Sequence, residues 1–305
     1  MQRWTDSRIA ELPRTHFIEA LKLVEWEGYW CMPPIVKAAV ALQNNFEARN
    51  DDVFLASCAK TGTTWLKSLA FCIMQRQNHQ IVDALTLENP HFLVPTVEAV
   101  AYSDKTIDIF DASAARLLHT HLPHALVPDS VRSTLCKIIY IARNPKDTVV
   151  SSWHFFNSFL RRDEELFPFE KFIDCFCSGK HPYGPFLEHV MGYWEESKKN
   201  PKKILFLKYE ELKIDPKTQV LKIAEFLERP FEDDTKADEI LSRCSIERLK
   251  NFEVNKSGSH FVDTPNSSFF RKGEVGDWNN YLTSEMEMKI DNTICLKLRD
   301  LGLYF

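Results

Sequence analysis

No apolar run in this sequence approaches the roughly 20 residues that a membrane helix requires. The longest, such as Ile138 to Ala142, have the length of a strand. The N-terminus, Met1-Gln2-Arg3-Trp4-Thr5-Asp6, lacks the basic region and following apolar stretch of a secretory signal. Positive charge is not in excess either. Lys and Arg number 38 against 43 Asp and Glu, a formal net charge of −5, so no global field draws the chain to nucleic acid or to an anionic membrane. Any anion site must then be a local cluster within an acidic protein. None of the eight cysteines forms a C-x-x-C pair. Most sit in apolar surroundings, as Cys72 does in Leu69-Ala70-Phe71-Cys72-Ile73, which reads as free buried thiols in a reducing compartment. Without a signal peptide the N-x-S/T sequons at Asn255 and Asn266 carry no weight, and the expected location is cytoplasmic.

Repeats, low-complexity tracts and Gly/Ser linkers are also missing, so the expectation is a single domain over residues 1–305. Hydrophobic residues at 44% and charged residues at 27% are those of a soluble globular protein and exclude disorder over most of the chain. Short β-branched runs alternate with longer helical periods. That predicts an α/β fold with a central, mostly parallel sheet flanked by helices. Strands are expected at Val53–Ser57, Leu117–Thr120, Lys137–Ala142 and 203–207. The middle two alternate least, as strands buried on both faces do. Helices are expected from 63 to about 76, where Leu66, Leu69, Ala70 and Ile73 form a core-facing stripe, and from Pro145 through Val149, Ser152 and Phe156. Further helices are expected at 182–199, 216–228 and 284–301. The stretch 251–278 has no clear period, and a segment that long without its own structure is usually functional or mobile.

Four segments carry candidate chemistry. The first runs from the strand Val53–Ser57 through Cys58-Ala59-Lys60-Thr61-Gly62-Thr63-Thr64-Trp65 into a helix. Glycine lets the backbone turn, and the first helical N–H groups, the helix dipole and Lys60 together suit an anion. An ordinary strand-to-helix turn with a solvated lysine is the competing reading. The segment is not a Walker A loop, because lysine precedes the glycine. The second is Arg116-Leu117-Leu118-His119-Thr120-His121-Leu122-Pro123-His124. Here a histidine at a strand's C-terminal end is placed for general base work; a zinc site and purely structural histidines are the other readings. The third delivers Arg143 to the sheet edge after Ile138-Ile139-Tyr140-Ile141-Ala142, with Ser151 two turns into the next helix; a planar guanidinium suits phosphate. The fourth, Arg271-Lys272-Gly273-Glu274-Val275-Gly276-Asp277-Trp278, reads as a second anion clamp or as a solvated basic pair.

Together, in this order and spacing, the four segments resemble the cytosolic sulfotransferases. The pair K-[ST]-G-T-[TN]-W and R-K-G-x-x-G-D-W is the specific part. Asn89-Pro90-His91-Phe92, Tyr183-Gly184-Pro185-Phe186 and Gly192-Tyr193-Trp194 look like the plant branch. The resemblance implies transfer of a sulfuryl group from 3′-phosphoadenosine 5′-phosphosulfate (PAPS) to a small-molecule acceptor hydroxyl, such as a flavonoid, steroid or other hydroxylated plant metabolite. No metal, nucleic acid or membrane is implied. His121 would be the general base and Lys60 would stabilise the departing phosphate. Lys60, Thr61, Gly62, Thr63 and Thr64 would form the P-loop-like strand–loop–helix that holds the 5′-phosphosulfate. Trp65 would stack on adenine, with Tyr209 near the adenosine. Arg143, Ser151, Arg271, Lys272 and Gly273 would hold the 3′-phosphate. The acceptor pocket would draw on residues 26–34, Tyr102, 155–159 and 257–265.

The sequence also departs from the family's pattern. Ala59 stands where a rigid proline is usual, His119 where animal members carry lysine, and Ile246 where an aromatic is expected. The segment 279–288 does not match the animal dimerisation pattern, which leaves a monomer or weak homodimer. Two alternatives remain at this point. A nucleotide kinase would need a Mg²⁺-binding acidic residue after a strand. A non-catalytic PAPS or adenosine bisphosphate binder would explain the three departures.

Overall fold

A computed structural model describes residues 6–75, 81–102, 116–160, 165–260 and 264–305. Three antiparallel strands come first, β1 (Arg14–Phe17), β2 (Leu21–Trp26) and β3 (Tyr29–Cys31), in that spatial order. The main sheet is β4 (Val53–Ser57), β5 (Leu117–Thr120), β6 (Lys137–Ala142) and β7 (Ile204–Lys208), ordered β5-β4-β6-β7 and parallel throughout. The expected α/β class, a parallel sheet flanked by helices, is what the chain builds.

Alternate residues of a strand face opposite sides of the sheet, and here each side meets its own core. Phe54, Ala56, Ile138, Tyr140 and Ala142 pack into one core. Val53, Leu55, Ile139 and Ile141 pack into the other, against Leu66, Leu69, Ala70 and Ile73 of the helix Thr63–Gln75. The two strands sheltered on both faces and both edges are therefore β4 and β6. Leu117–Thr120, expected to be buried on both faces, is so from Leu118 to Thr120, yet it lies at the sheet's edge, where Thr96 bridges His119 and the His119 N–H donates to Pro95 O at 2.9 Å. The last strand runs one residue later than expected.

Other departures have local causes. The helix expected from 182 begins at Phe186. Tyr183 and Gly184 pair their backbones with Trp30 of β3 instead, at 2.8 and 2.7 Å, and the Gly184–Pro185 peptide is cis. The helix from Pro216 closes at Phe226, and Glu228 takes a positive φ of 57°. The run 284–301 is helical but broken by a π turn, Asp291–Cys295, between Ser284–Ile290 and Leu296–Asp300. The position Arg76, expected at the end of the 63–76 helix, lies outside the described residues. The stretch 251–278 is not structureless. It holds a short helix (Glu253–Lys256), a two-stranded ribbon of β8 (Ser259–His260) and β9 (Thr264–Pro265), and two 3₁₀ turns, Asn266–Phe269 and Asp277–Asn280. Side chains replace the missing periodicity. Asn266 Nδ2 donates to Val254 O at 2.8 Å, and buried Asp147 accepts the Gly276 and Trp278 N–H groups at 2.8 and 3.1 Å.

Because the four strands are parallel, their C-terminal ends share one edge, where ligands bind in open α/β sheets. Lys60, His121, Arg143 and Tyr209 all follow those ends. At the opposite edge, Asp52 just before β4 takes Arg116 Nε on Oδ1 and the Arg49 N–H on Oδ2, both at 2.7 Å. Its own carbonyl accepts the Lys137 N–H at 2.9 Å, so one fully buried residue ties the starts of β4, β5 and β6. Removing one partner of a buried ion pair strands the other charge. Asp52→Ala should therefore lower the unfolding free energy by about 3 kcal/mol in a urea titration. A loss of under ~1 kcal/mol, the size of an exposed pair, would show that the pair does not anchor the sheet.

Candidate active site

Beyond Ser57 the chain turns through Lys60 at φ 68° and Gly62 at φ 115°. A Cβ on Gly62 would meet Tyr209 Cδ2 at 2.7 Å and Ile141 Cδ1 at 2.9 Å, so no larger residue passes between that ring and β6. Thr61 locks the turn. Its hydroxyl proton is shared between Cys58 O at 2.8 Å and Ile141 O at 2.9 Å, and the residue is fully buried. This tie to β6 braces the loop where Ala59 replaces the expected proline. It also removes the Thr61 hydroxyl from the expected anion donors: the side chain is spent on the loop itself, and Thr61 does not line the cavity.

That cavity, of about 310 Å³, opens at the sheet's C-terminal edge. Lys60, Gly62, Thr63, Thr64, Trp65, His121, Arg143, Ser151, Tyr209, Arg271 and Gly273 all line it, so segments far apart in sequence meet on one hollow. The N-terminus of the helix Thr63–Gln75 points its first N–H groups and positive dipole end there. Arg143 lies over the Tyr209 ring at 4.6 Å and donates through Nη2 to Glu274 O at 2.6 Å. Its buried Nε has no hydrogen-bond partner among the described residues. Tyr209 donates its hydroxyl to Gly273 O at 2.9 Å, and Trp65 meets its ring edge-on at 5.8 Å.

Arg271 and Lys272 share one carboxylate. Arg271 Nη1 donates to Asp277 Oδ2, and Lys272 Nζ to Asp277 Oδ1, each at 2.6 Å. Burial alone would raise the Asp277 pKa; the hydrogen bonds from Lys272, Arg271 and Asn280 overcome it and hold the group at about 2. Lys272 is thereby turned onto Asp277 and does not line the cavity. Of the expected pair, only Arg271 faces it. Ile246 lines the cavity as an aliphatic wall beside Gly273.

Lys60 is half-buried, with Nζ 4.1 Å from the Phe155 ring centroid and donating to Ser268 O at 3.3 Å. Burial first, then the positive charges of Arg143 and Arg271, lower its pKa to about 7. His121 is held from three sides. Its ring Nδ1 bonds Ser57 O at 2.8 Å, its N–H donates to Glu98 Oε1 at 2.6 Å, and its carbonyl accepts from His189 Nε2 at 2.8 Å. A carbonyl only accepts, so Nδ1 carries the proton and Nε2 is the basic nitrogen. Burial, reinforced by Lys67, His189 and Lys60 against the opposing Ser57 bond, lowers its pKa to about 3, so the ring is neutral near pH 7.

His119 does not join this wall. It is fully buried, with Nε2 3.0 Å from Ser57 Oγ and Nδ1 3.0 Å from Thr96 Oγ1, so hydroxyls occupy both nitrogens. His124 packs edge-on against Tyr193 at 5.4 Å. Among the described residues no cluster of three or more His, Cys, Asp or Glu is arranged to hold a metal ion. Residues 26–34, expected to shape the acceptor pocket, do not line this cavity; the side chains of Tyr102 and Phe159, and residues 261–263, lie outside the described residues.

Several participants escaped the sequence reading. His91 lines the cavity, 4.0 Å from the Phe269 ring, with Nε2 3.0 Å from Thr64 Oγ1. Glu98 and His189 hold His121; no quoted motif includes Glu98, and His189 lies between Tyr183-Gly184-Pro185-Phe186 and Gly192-Tyr193-Trp194 without belonging to either. Lys67, one turn after Thr63, left no signal either, since it lies about 100° round the helix from Leu66 and off the apolar stripe, where a lysine is ordinary.

A sulfotransferase domain family matches residues 50–302. The chain is 39% identical over 305 residues to cytosolic sulfotransferase 12 of Arabidopsis thaliana, covering 99% of this chain and 94% of that one. It is 40% identical over 307 residues to cytosolic sulfotransferase 6 of the same plant, covering 97% and 93%. Among solved structures, an Arabidopsis thaliana putative steroid sulphotransferase is 34% identical, with a TM-score of 0.77 over 98% of this chain and 94% of that one. A mouse sulfotransferase solved in complex with PAP is 28% identical, with a TM-score of 0.71 over 92% and 96%. No helix among the described residues is long and apolar enough to cross a membrane. With motif order, fold and full-length likeness in agreement, the chain belongs to the sulfotransferase domain family and is a sulfotransferase.

Proposed function

We propose that this enzyme uses PAPS to sulfate the hydroxyl of a small organic acceptor in the cytosol, with His121 as general base and Lys60 at the departing phosphate. One observation carries this: Lys60, Arg143, Arg271 and a helix N-terminus converge on one cavity with a neutral histidine whose basic nitrogen is Nε2. The cavity's own chemistry fits a polyanion. Arg143 Nε is buried without a partner among the described residues, and Lys60 is depressed by burial first and then by neighbouring positive charge, which an anion would relieve. A relative crystallised with PAP (adenosine 3′,5′-bisphosphate) supports the same ligand class.

PAPS, when bound, supplies a sulfur atom whose bond to the 5′-phosphate oxygen breaks as the acceptor oxygen attacks it. The chain's residues do the rest. His121 Nε2 takes the acceptor's proton while Nδ1 keeps its own on Ser57 O, and nearby anionic charge raises the imidazole's affinity for that proton. Lys60 exchanges Ser268 O for the leaving oxygen and neutralises its developing charge. The first N–H groups of the helix, with Thr63 and Thr64, hold the 5′ end. Arg143, Arg271 and Ser151 hold the 3′-phosphate, and Trp65, Tyr209 and Ile246 enclose the adenine. On the acceptor side Phe155, Phe269 and His91 offer flat, mostly apolar faces that suit a ring-bearing alcohol or phenol such as a flavonoid or steroid.

With PAPS and a panel of phenols, flavonols and hydroxysteroids, His121→Ala should lower kcat by about 10³-fold and leave PAP affinity unchanged. Retained turnover would rule out the general base, and PAP binding with no turnover on any acceptor in wild-type protein would favour a pure binder. Arg271→Ala should weaken PAP by about tenfold or more and leave adenosine 5′-phosphate untouched; equal losses would mean Arg271 does not read the 3′-phosphate. The pH dependence follows from Lys60. Its depressed pKa leaves it charged below pH 7 and neutral above. PAP affinity should therefore fall as pH rises past about 7, by up to tenfold per pH unit, in titration calorimetry from pH 6 to 8.5. A flat profile would show that Lys60 does not meet the phosphate.

A further inference from the structure

Behind the phosphate loop a ring of buried polar groups runs from one threonine to the next. Thr64 Oγ1 lies 3.0 Å from His91 Nε2, and His91 Nδ1 lies 3.3 Å from Lys67 Nζ. Lys67 Nζ donates to Thr96 Oγ1 at 3.1 Å, and Thr96 Oγ1 lies 3.0 Å from His119 Nδ1. His119 Nε2 is 3.0 Å from Ser57 Oγ, which is 2.7 Å from Thr63 Oγ1. Lys67, Ser57 and His119 are fully buried. Both ends of the ring are hydroxyls that line the cavity.

Valence orders this ring. An ammonium group donates and never accepts, a neutral imidazole has one donor and one acceptor nitrogen, and a hydroxyl has a single proton. Facing Lys67, His91 Nδ1 must accept; its proton therefore sits on Nε2 and is given to Thr64 Oγ1. On the other arm Thr96 accepts from Lys67; its two lone pairs could also take a proton from His119, but its own proton would then have no acceptor among the described residues, so it is given to His119 Nδ1. His119 then donates from Nε2 to Ser57 Oγ, and Ser57 donates to Thr63 Oγ1. Each threonine receives a hydrogen bond from the interior and retains its own proton for the cavity. Burial keeps both imidazoles well below their ordinary pKa, hence neutral, as this order requires. The same burial lowers Lys67 to about 7 against the attraction of Glu98, so the ammonium form that sets the order is the one present below pH 7.

We propose that Lys67 is a positioning residue whose buried ammonium sets the direction of every hydrogen bond in both arms, so that Thr63 and Thr64 each present an O–H donor to the 5′-phosphosulfate. It rests on the reading above that this loop holds the 5′ end of PAPS. Lys67 never touches the ligand. Without its cation nothing fixes the direction of either arm, and the hydroxyls turn lone pairs toward the anion part of the time. The role also bears on His119, which stands where animal members carry lysine. Buried positive charge reaches this ring from the helix Thr63–Gln75, one hydroxyl away from His119, rather than from β5.

Two measurements test the proposal. In wild-type protein with ¹⁵N-labelled histidine at about pH 6, where Lys67 is an ammonium, long-range ¹H–¹⁵N correlation spectra should show His91 and His119 as neutral Nε2–H tautomers; an Nδ1–H tautomer at either position overturns the order. In Lys67→Met, PAP should bind about 30-fold more weakly, while adenosine 3′-phosphate, which lacks the 5′ group, binds as in wild type. Equal losses for both nucleotides would reduce Lys67 to a structural role and overturn the proposal. In a Thr63→Val, Thr64→Val background, adding Lys67→Met should cost PAP binding no further loss, and a full additional loss would also overturn it. If Lys67→Met does not fold, the tautomers decide. Wild-type protein that shows both tautomers but binds neither nucleotide would overturn the functional reading, not the hydrogen-bond order.

Discussion

Three cations are held close together against their own repulsion in a protein of net negative charge, and the rest of the site is arranged around that constraint. The holding is done by two buried carboxylates. Asp277 ties Arg271 to Lys272, and Asp147 sits 3.8 Å from Arg143 while fastening the backbone of residues 276 and 278. Lys60 has no such carboxylate among the described residues, and burial first, then the charges of Arg143 and Arg271, bring its pKa down to about 7. The arrangement is preorganised for negative charge: the cost of gathering the cations is met by folding, before any ligand arrives.

The same economy explains which polar side chains face the cavity and which do not. Thr61 and Lys272 lie within the two motifs, yet each is consumed by the scaffold, one bracing the loop against β6 and the other neutralising Asp277. Their motif positions are explained as well by holding the site's shape as by touching a ligand. Thr63 and Thr64 do both, bonded inward to the buried ring and exposed outward to the cavity.

Much of this was legible in the sequence. Strand β6 and the phosphate loop are local patterns, a buried apolar run and a glycine turn before an amphipathic helix, and both formed where expected. What the pattern concealed was set by tertiary contact. Strand β5 is buried on both faces, as its pattern suggested, but its place at the sheet's edge, covered by Pro95 and Thr96, was not legible. Residues 182–185 look like the start of a helix but pair with Trp30. The segment 251–278 has no period because side chains such as Asn266 and Asp147 organise it from a distance. In the site, the residues that bear charge inside motifs were visible; the roles of Glu98, His189 and His91, which act through hydrogen bonds made across unrelated elements, were not.

Tyr209 joins pieces of the chain that are made at different times. Its ring closes over Gly62 and supports Arg143, while its hydroxyl binds the carbonyl of Gly273. Lys60 itself contacts Ser268, 208 positions later. During synthesis the phosphate loop leaves the ribosome long before its clamp, and domains generally fold as units once their long-range partners exist. A nascent chain therefore carries the loop and Lys60 before the arginines that complete the cation cluster, and ligand binding is acquired in one late step rather than piecemeal.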